Sequence, residues 1–173
     1  KIERETFKEI KNNARSISTV SAERFQEEFR KMFTKAEKPS IGIKLLFVTG
    51  LIDHILPQSN LRHIDLASID KLDKKAFPTF IGMMMSGYSS SAGKEVASKM
   101  RLSKVDSDAV QAVVTYMAKS PFLDKDDFKL VQFMKGVSDK GIQSIDAYLD
   151  AKKRPTLSSK LKRMKVTSIR DLS

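Results

Sequence analysis

Cysteine and tryptophan are absent from this chain of 173 residues, and histidine occurs only twice, as His54 and His63. Without thiols there is no disulfide frame, no thiolate metal site and no Cys–His nucleophile. Neither histidine precedes an aspartate, so the adjacent His-Asp pair of a metal-dependent phosphohydrolase is missing, and His63-Ile64-Asp65 is no substitute for it. A G-x-x-x-x-G-K phosphate cradle is lacking as well. No apolar run approaches the roughly 20 residues needed to span a bilayer, and no signal-peptide pattern opens the chain. A cytoplasmic setting without a membrane partner is the expectation. Glycine (7) and proline (5) are scarce. No stretch alternates apolar and polar residues over a strand's length without a competing helical reading. An all-α fold is what remains, an irregular array of about eight to ten helices.

Positive charge is what the chain has in excess. Net charge is +11, and residues 151–173 hold eight Lys/Arg against one acid, Asp171, while residues 1–150 hold 24 against 20. Lys152, Lys153 and Arg154 form a run, and Lys160, Lys162, Arg163, Lys165 and Arg170 follow with no acid between them. A polyanion, nucleic acid first among them, is the partner such a segment suits. A solubilising tail and a basic membrane-surface helix share the pattern, although Leu157, Leu161 and Met164 make only a narrow apolar stripe.

Apolar spacing places the other elements. Phe7, Ile10, Ala14 and Ile17 give one stripe over residues 3–17. Ser21, followed by Glu23, reads as an N-cap with an acid in the first turn. Phe25, Phe29, Met32 and Phe33 then share a face. Pro39 opens a helix over 40–49 that Gly50 stops in a left-handed turn. Its centre, residues 43–48, is apolar almost all round and is expected to be buried. Residues 51–56 add a short turn. Residues 58–72 read as loop with a possible helix at 66–72, and 76–85 is the most hydrophobic window. After a Ser-rich break at 86–91, helices are expected at 92–100 and 105–119, the latter with a Val110, Val113, Val114, Met117 stripe. Two more follow at 125–137, with Phe128, Val131, Gln132 and Met134 near one face, and at 141–151, with Ile142, Ile145 and Leu149 inward. A last helix is expected over 155–170. Asp124, Asp126 and Asp127 fit capping better than metal binding. Most of the Phe and Tyr residues fall on core stripes, so base stacking is not expected to dominate any nucleic-acid contact.

Residues 21–57, SAERFQEEFRKMFTKAEKPSIGIKLLFVTGLIDHILP, resemble the neck of class II tRNA nucleotidyltransferases (CCA-adding enzymes) and bacterial poly(A) polymerases. The matching positions are Ser21, Glu23, Arg24, Phe25, Glu28, Phe29, Lys31, Met32 and Phe33, then Gly42, Ile43, Leu45, Leu46, Gly50, Leu51, Ile52, Ile55, Leu56 and Pro57. Phe25 and Phe29 stand where relatives more often carry aliphatic residues. The likeness is close over residues 1–57 and weak over 66–119, where Arg101-Leu102-Ser103 is one shared step. It implies neck helices at 1–57, a helical body at 58–120 without a metal site, and a tail at 121–173. It further implies that Glu23, Arg24 and Glu28 brace the neck.

The family's Gly-Ser-x-x-Asp-x-Asp motif, which holds Mg²⁺ on the triphosphate, is absent from this chain, as are the nucleotide-reading arginines. The chain opens at Lys1 inside an amphipathic pattern, which suggests a portion of a longer protein. The expectation is therefore the tRNA-binding part of a CCA-adding enzyme, inactive alone. Its Mg²⁺, CTP and ATP would be held by a catalytic head that is fused upstream or separate. A poly(A) polymerase portion and a non-enzymatic helical interaction module are the alternatives. The RNA contacts are expected from Lys152, Lys153, Arg154, Lys160, Lys162, Arg163, Lys165 and Arg170.

Overall fold

The computed structural model describes residues 2–56 and 59–164. Among them are eleven α-helices, two 3-10 helices and no strand. The helices are α1 (Arg4–Asn12), α2 (Ala22–Lys35), α3 (Pro39–Val48), α4 (Ile52–Ile55), α5 (Leu66–Ile69), α6 (Phe77–Met84), α7 (Ser90–Lys99), α8 (Lys104–Leu123), α9 (Asp127–Lys135), α10 (Asp139–Ala151) and α11 (Leu157–Arg163). The all-α array is as expected. The larger number comes from one-turn helices such as α4 and α5.

The centre is α6, and every one of its eight residues is buried. Its bulk lets it meet three partners. Phe77 and Phe80 stack with Phe29 and Phe33 of α2, the closest pair being Phe33–Phe80 at 4.6 Å between centroids. Gly82 brings α8 close on another side, since a Cβ there would lie 2.7 Å from Val113 Cγ1. The Thr79 hydroxyl donates to the Ser144 carbonyl of α10 at 2.9 Å, so the one polar side chain of this face is satisfied. A single cluster of buried residues runs from Phe29 to Leu161.

Four local expectations need correction. Residues 3–17 are not one helix: α1 ends at Asn12 and a 3-10 helix, Ala14–Thr19, follows. The hydroxyls of Ser18 and Thr19 donate to the carbonyls of Arg15 and Ser16, competing with the α ladder. The centre of α3 is not enclosed either. Of residues 43–48 only Ile43 is fully buried, and Val48 is 53% exposed. The main neighbours of α3 are α2, α4 and α5, and Ile41, Lys44 and Val48 are left exposed. On α9 the buried pair is Leu130 and Met134, one turn apart, and Phe128 points outward. Finally, α8 runs past residue 119 to Leu123 with Pro121 in its last turn. Pro121 has no N–H for the Met117 carbonyl, and the Ser120 hydroxyl donates there instead at 3.2 Å.

Caps and turns otherwise follow the residue types. Ser21 accepts from the Arg24 N–H at 3.3 Å, as its position predicts. Gly50 takes φ +75 after α3. Pro39 opens α3, and Asp70, from the end of α5, accepts from the Ser40 N–H at 2.9 Å and from its hydroxyl at 2.6 Å.

Candidate nucleic-acid interface

The basic C-terminal segment begins where α10 ends. Lys152 is the last half-helical residue of α10, and Lys153 follows at φ +55. The Lys153 N–H donates to the Asp150 carbonyl at 2.8 Å and the Arg154 N–H to the Leu149 carbonyl at 2.8 Å. That is a Schellman ending with lysine in the left-handed position glycine normally takes. Left-handed backbone costs a side-chain-bearing residue roughly 1 kcal/mol. A cation there meets the negative end of the helix dipole.

Helix α11 starts at once and is fixed by side chains from α10 and from the end of α8, while Asp65 ties the turn before it. Thr156 caps it by accepting from the Ser159 N–H at 3.1 Å. Asp146 of α10 accepts from the N–H groups of Leu157, at 2.7 Å, and Ser158, at 3.4 Å, and from the Ser158 hydroxyl. Leu157 and Leu161 are buried beneath. Asp124, at the end of α8, receives the Tyr116 hydroxyl at 2.9 Å, Lys160 Nζ at 2.7 Å and the Arg154 guanidinium. Asp65, which caps α5 through the Ser68 N–H, holds Lys152 Nζ at 2.6 Å.

These anchors leave their mark on ionisation. Burial works to raise the Asp124 carboxyl, but the hydrogen bonds from Lys160, Tyr116 and Arg154 outweigh it and hold it below the ordinary carboxylate range. Burial likewise opposes Asp65, yet Lys152 and the Ser68 groups bring it down to about 2. The Tyr116 phenol is pushed well upward, by burial first and by Asp124 second.

The predicted RNA-binding residues therefore divide. Lys152, Arg154 and Lys160 are engaged with carboxylates of the body. Lys153, Lys162 and Arg163 are exposed and form no ion pair among the described residues. Lys165 and Arg170 lie outside the described residues.

The predicted bracing residues also differ from one another. Glu23 pairs with Arg101 in the α7–α8 turn. Glu28 pairs with Lys31 on its own helix at 3.0 Å, and Arg24 is exposed. The firmer tie is one the sequence reading missed. Arg30 of α2 lies 4.0 Å over the Phe77 ring and 3.8 Å from Asp106 of α8. Spacing alone carried no signal for it, since Phe77 and Asp106 are remote in sequence. In the same N-terminal part, Lys11, Arg15, Lys35, Lys38 and Lys44 are exposed. No group of three or more His, Asp or Glu that could hold a metal ion exists among the described residues. No described helix is long and apolar enough to cross a membrane.

No curated protein and no solved structure matches this chain. Residues 1–61, which include α1 to α4, match the family model described as the probable RNA and SrmB-binding site of polymerase A, a description that fits the nucleotidyltransferase resemblance of residues 21–57.

Proposed function

We propose that this chain is an RNA-binding helical portion of a polymerase A-type nucleotidyltransferase. The observation that carries the reading is the match over residues 1–61. The outward cations Lys153, Lys162 and Arg163 extend it to the opposite end of the chain. In this reading α1 to α4 form the neck, the helices up to α8 the body, and residues 121–173 the tail. The stacked phenylalanines of α2 and α6, with Arg30 and Glu23 as outer ties, hold the neck on the body. A catalytic head outside these residues supplies the carboxylates for Mg²⁺ and the nucleotide triphosphate. The RNA is gripped through phosphate contacts, which position a substrate without reading its sequence.

The finer reading is a CCA-adding enzyme acting on tRNA, with CTP and ATP as donors, supported by the wording of residues 21–57. A second reading, poly(A) addition, is favoured by the name of the matched family. Binding of the chain to full-length tRNA and to a single-stranded RNA of equal length, across a salt series, tests both. Affinity should fall steeply with salt. The triple variant Lys153→Ala, Lys162→Ala, Arg163→Ala should flatten the log–log slope by about 2 to 3 units. Preference for tRNA supports the CCA reading, and preference for the single strand the poly(A) reading. Absence of salt-dependent binding to either RNA defeats the proposal.

A further inference from the structure

The corner between α8 and α9 exposes two phenylalanines, Phe122 at 71% and Phe128 at 73%. Other exposed apolar residues, such as Ile41, Val48 and Val105, are aliphatic. Phe122 instead borders a cleft of about 540 Å³ whose lining is Lys119, Phe122, Leu123, Lys129, Gln132 and Phe133. Two lysines and one glutamine stand among these aromatic and aliphatic walls, and no carboxylate does. Lys129 meets only Asp126 of its own helix, at 3.3 Å and in solvent, a pair of little strength. Lys119 and Lys125 form no ion pair among the described residues. Of the nearby acids, Asp124 is committed to Tyr116, Arg154 and Lys160, Asp126 caps α9 through the Lys129 N–H at 3.0 Å, and the exposed Asp127 stands in the first turn of α9 outside the cleft lining.

We infer that this cleft is a stacking site for a base of single-stranded nucleic acid. Each ingredient has its role in such a complex. An exposed aromatic face stacks on any base, and the lysines of the rim meet the flanking phosphates. The Gln132 amide offers both a donor and an acceptor to a base edge. A second copy of the chain is a poor occupant, because a two-fold contact would oppose lysine to lysine in a protein of net charge +11. The chain links the cleft to the anchor of α11. Phe122 is two residues from Asp124, at most about 7 Å along the chain, and Asp124 touches α11 through Lys160. The site goes beyond the reading of α11: its residues are different, and stacking adds a contribution to binding that phosphate pairing does not.

Phe122→Trp gives a direct test, because the chain has no other tryptophan. Titration with short oligo(A), as RNA and as DNA, should quench the indole saturably at low salt, and at high salt should reach the same final quench with weaker affinity. Quenching by the RNA alone or by both marks the backbone preference and supports the site either way. The variant Phe122→Ala/Phe128→Ala should melt like the parent and lose about tenfold in single-strand affinity. Its affinity for an RNA duplex should stay unchanged. The cleft is not a base site if the indole is not quenched, or if duplex and single strand weaken together. It is a self-association surface instead if sedimentation shows a dimer that the double variant dissolves while oligo(A) affinity persists. Loss of duplex binding alone in Lys153→Ala/Lys162→Ala/Arg163→Ala, with the quench intact, would keep the stacking site distinct from the α11 contacts.

Discussion

Helices α6 and α11 are held to the same body by different forces. All eight residues of α6 are buried, and its contacts are aromatic stacking, a glycine-mediated approach to α8 and one hydroxyl bond to α10. Helix α11 buries Leu157 and Leu161 and takes the rest of its attachment from Asp124 and Asp146, with Asp65 holding Lys152 of the turn that leads into it. Apolar burial responds little to pH or to added salt, whereas carboxylate anchors respond to both. The difference also matters for function, because a cation bound to a carboxylate of the body is withdrawn from the phosphates of a ligand.

Phe33→Ala should have the largest effect, since the ring is fully buried and stacked on Phe80. A loss of about 3–5 kcal/mol is expected in chemical denaturation. Asp124→Ala leaves Tyr116, Arg154 and Lys160 without their acceptor and should cost about 2 kcal/mol. RNA affinity should rise in that variant as two cations are released, and unchanged affinity would mean that Arg154 and Lys160 do not face the RNA. Lys153→Gly should move the two properties the opposite way, with stability up by about 1 kcal/mol because the left-handed turn is relieved, and RNA affinity down.

Acid should separate the helices further. Asp65 is held down to about 2 against an ordinary 3.8, and Asp124 is depressed as well. A depressed carboxyl adds stability that is complete above its unfolded value and is lost as pH falls through the folded one. Between about pH 4 and pH 2, hydrogen exchange in α11 should therefore quicken before exchange in α6 does. The smallest effect is expected from Glu23→Gln, which breaks an exposed pair with Arg101 and should leave the melting temperature almost unchanged. A large shift there would mean that the neck depends on this tie rather than on Arg30 and the phenylalanines.

Legibility in the sequence followed the same divide. The α2 face and the inward positions of α10 were readable because one stripe of apolar residues had one place to go. On α3 the residues were apolar all round, and periodicity does not say which sides have neighbours; the same gap turned Phe128 the wrong way. Phe122 lies past the expected end of the 105–119 helix, so no apolar stripe bore on which way it faces. Of the candidate RNA surface, the sequence revealed the charge but not its division. That division depends on Asp65 and Asp124, which lie 87 and 30 residues from Lys152 and Arg154 in the chain. Nothing local to residues 152–163 distinguishes an anchored lysine from an outward one.

Asp124, at the end of α8, holds two cations of the basic segment 151–173. Replacing this one acid would free two charges of that segment without altering any residue in it. Grip on a polyanion can thus be retuned by mutation outside the basic segment, so the residues that vary and the cations whose availability changes need not be the same.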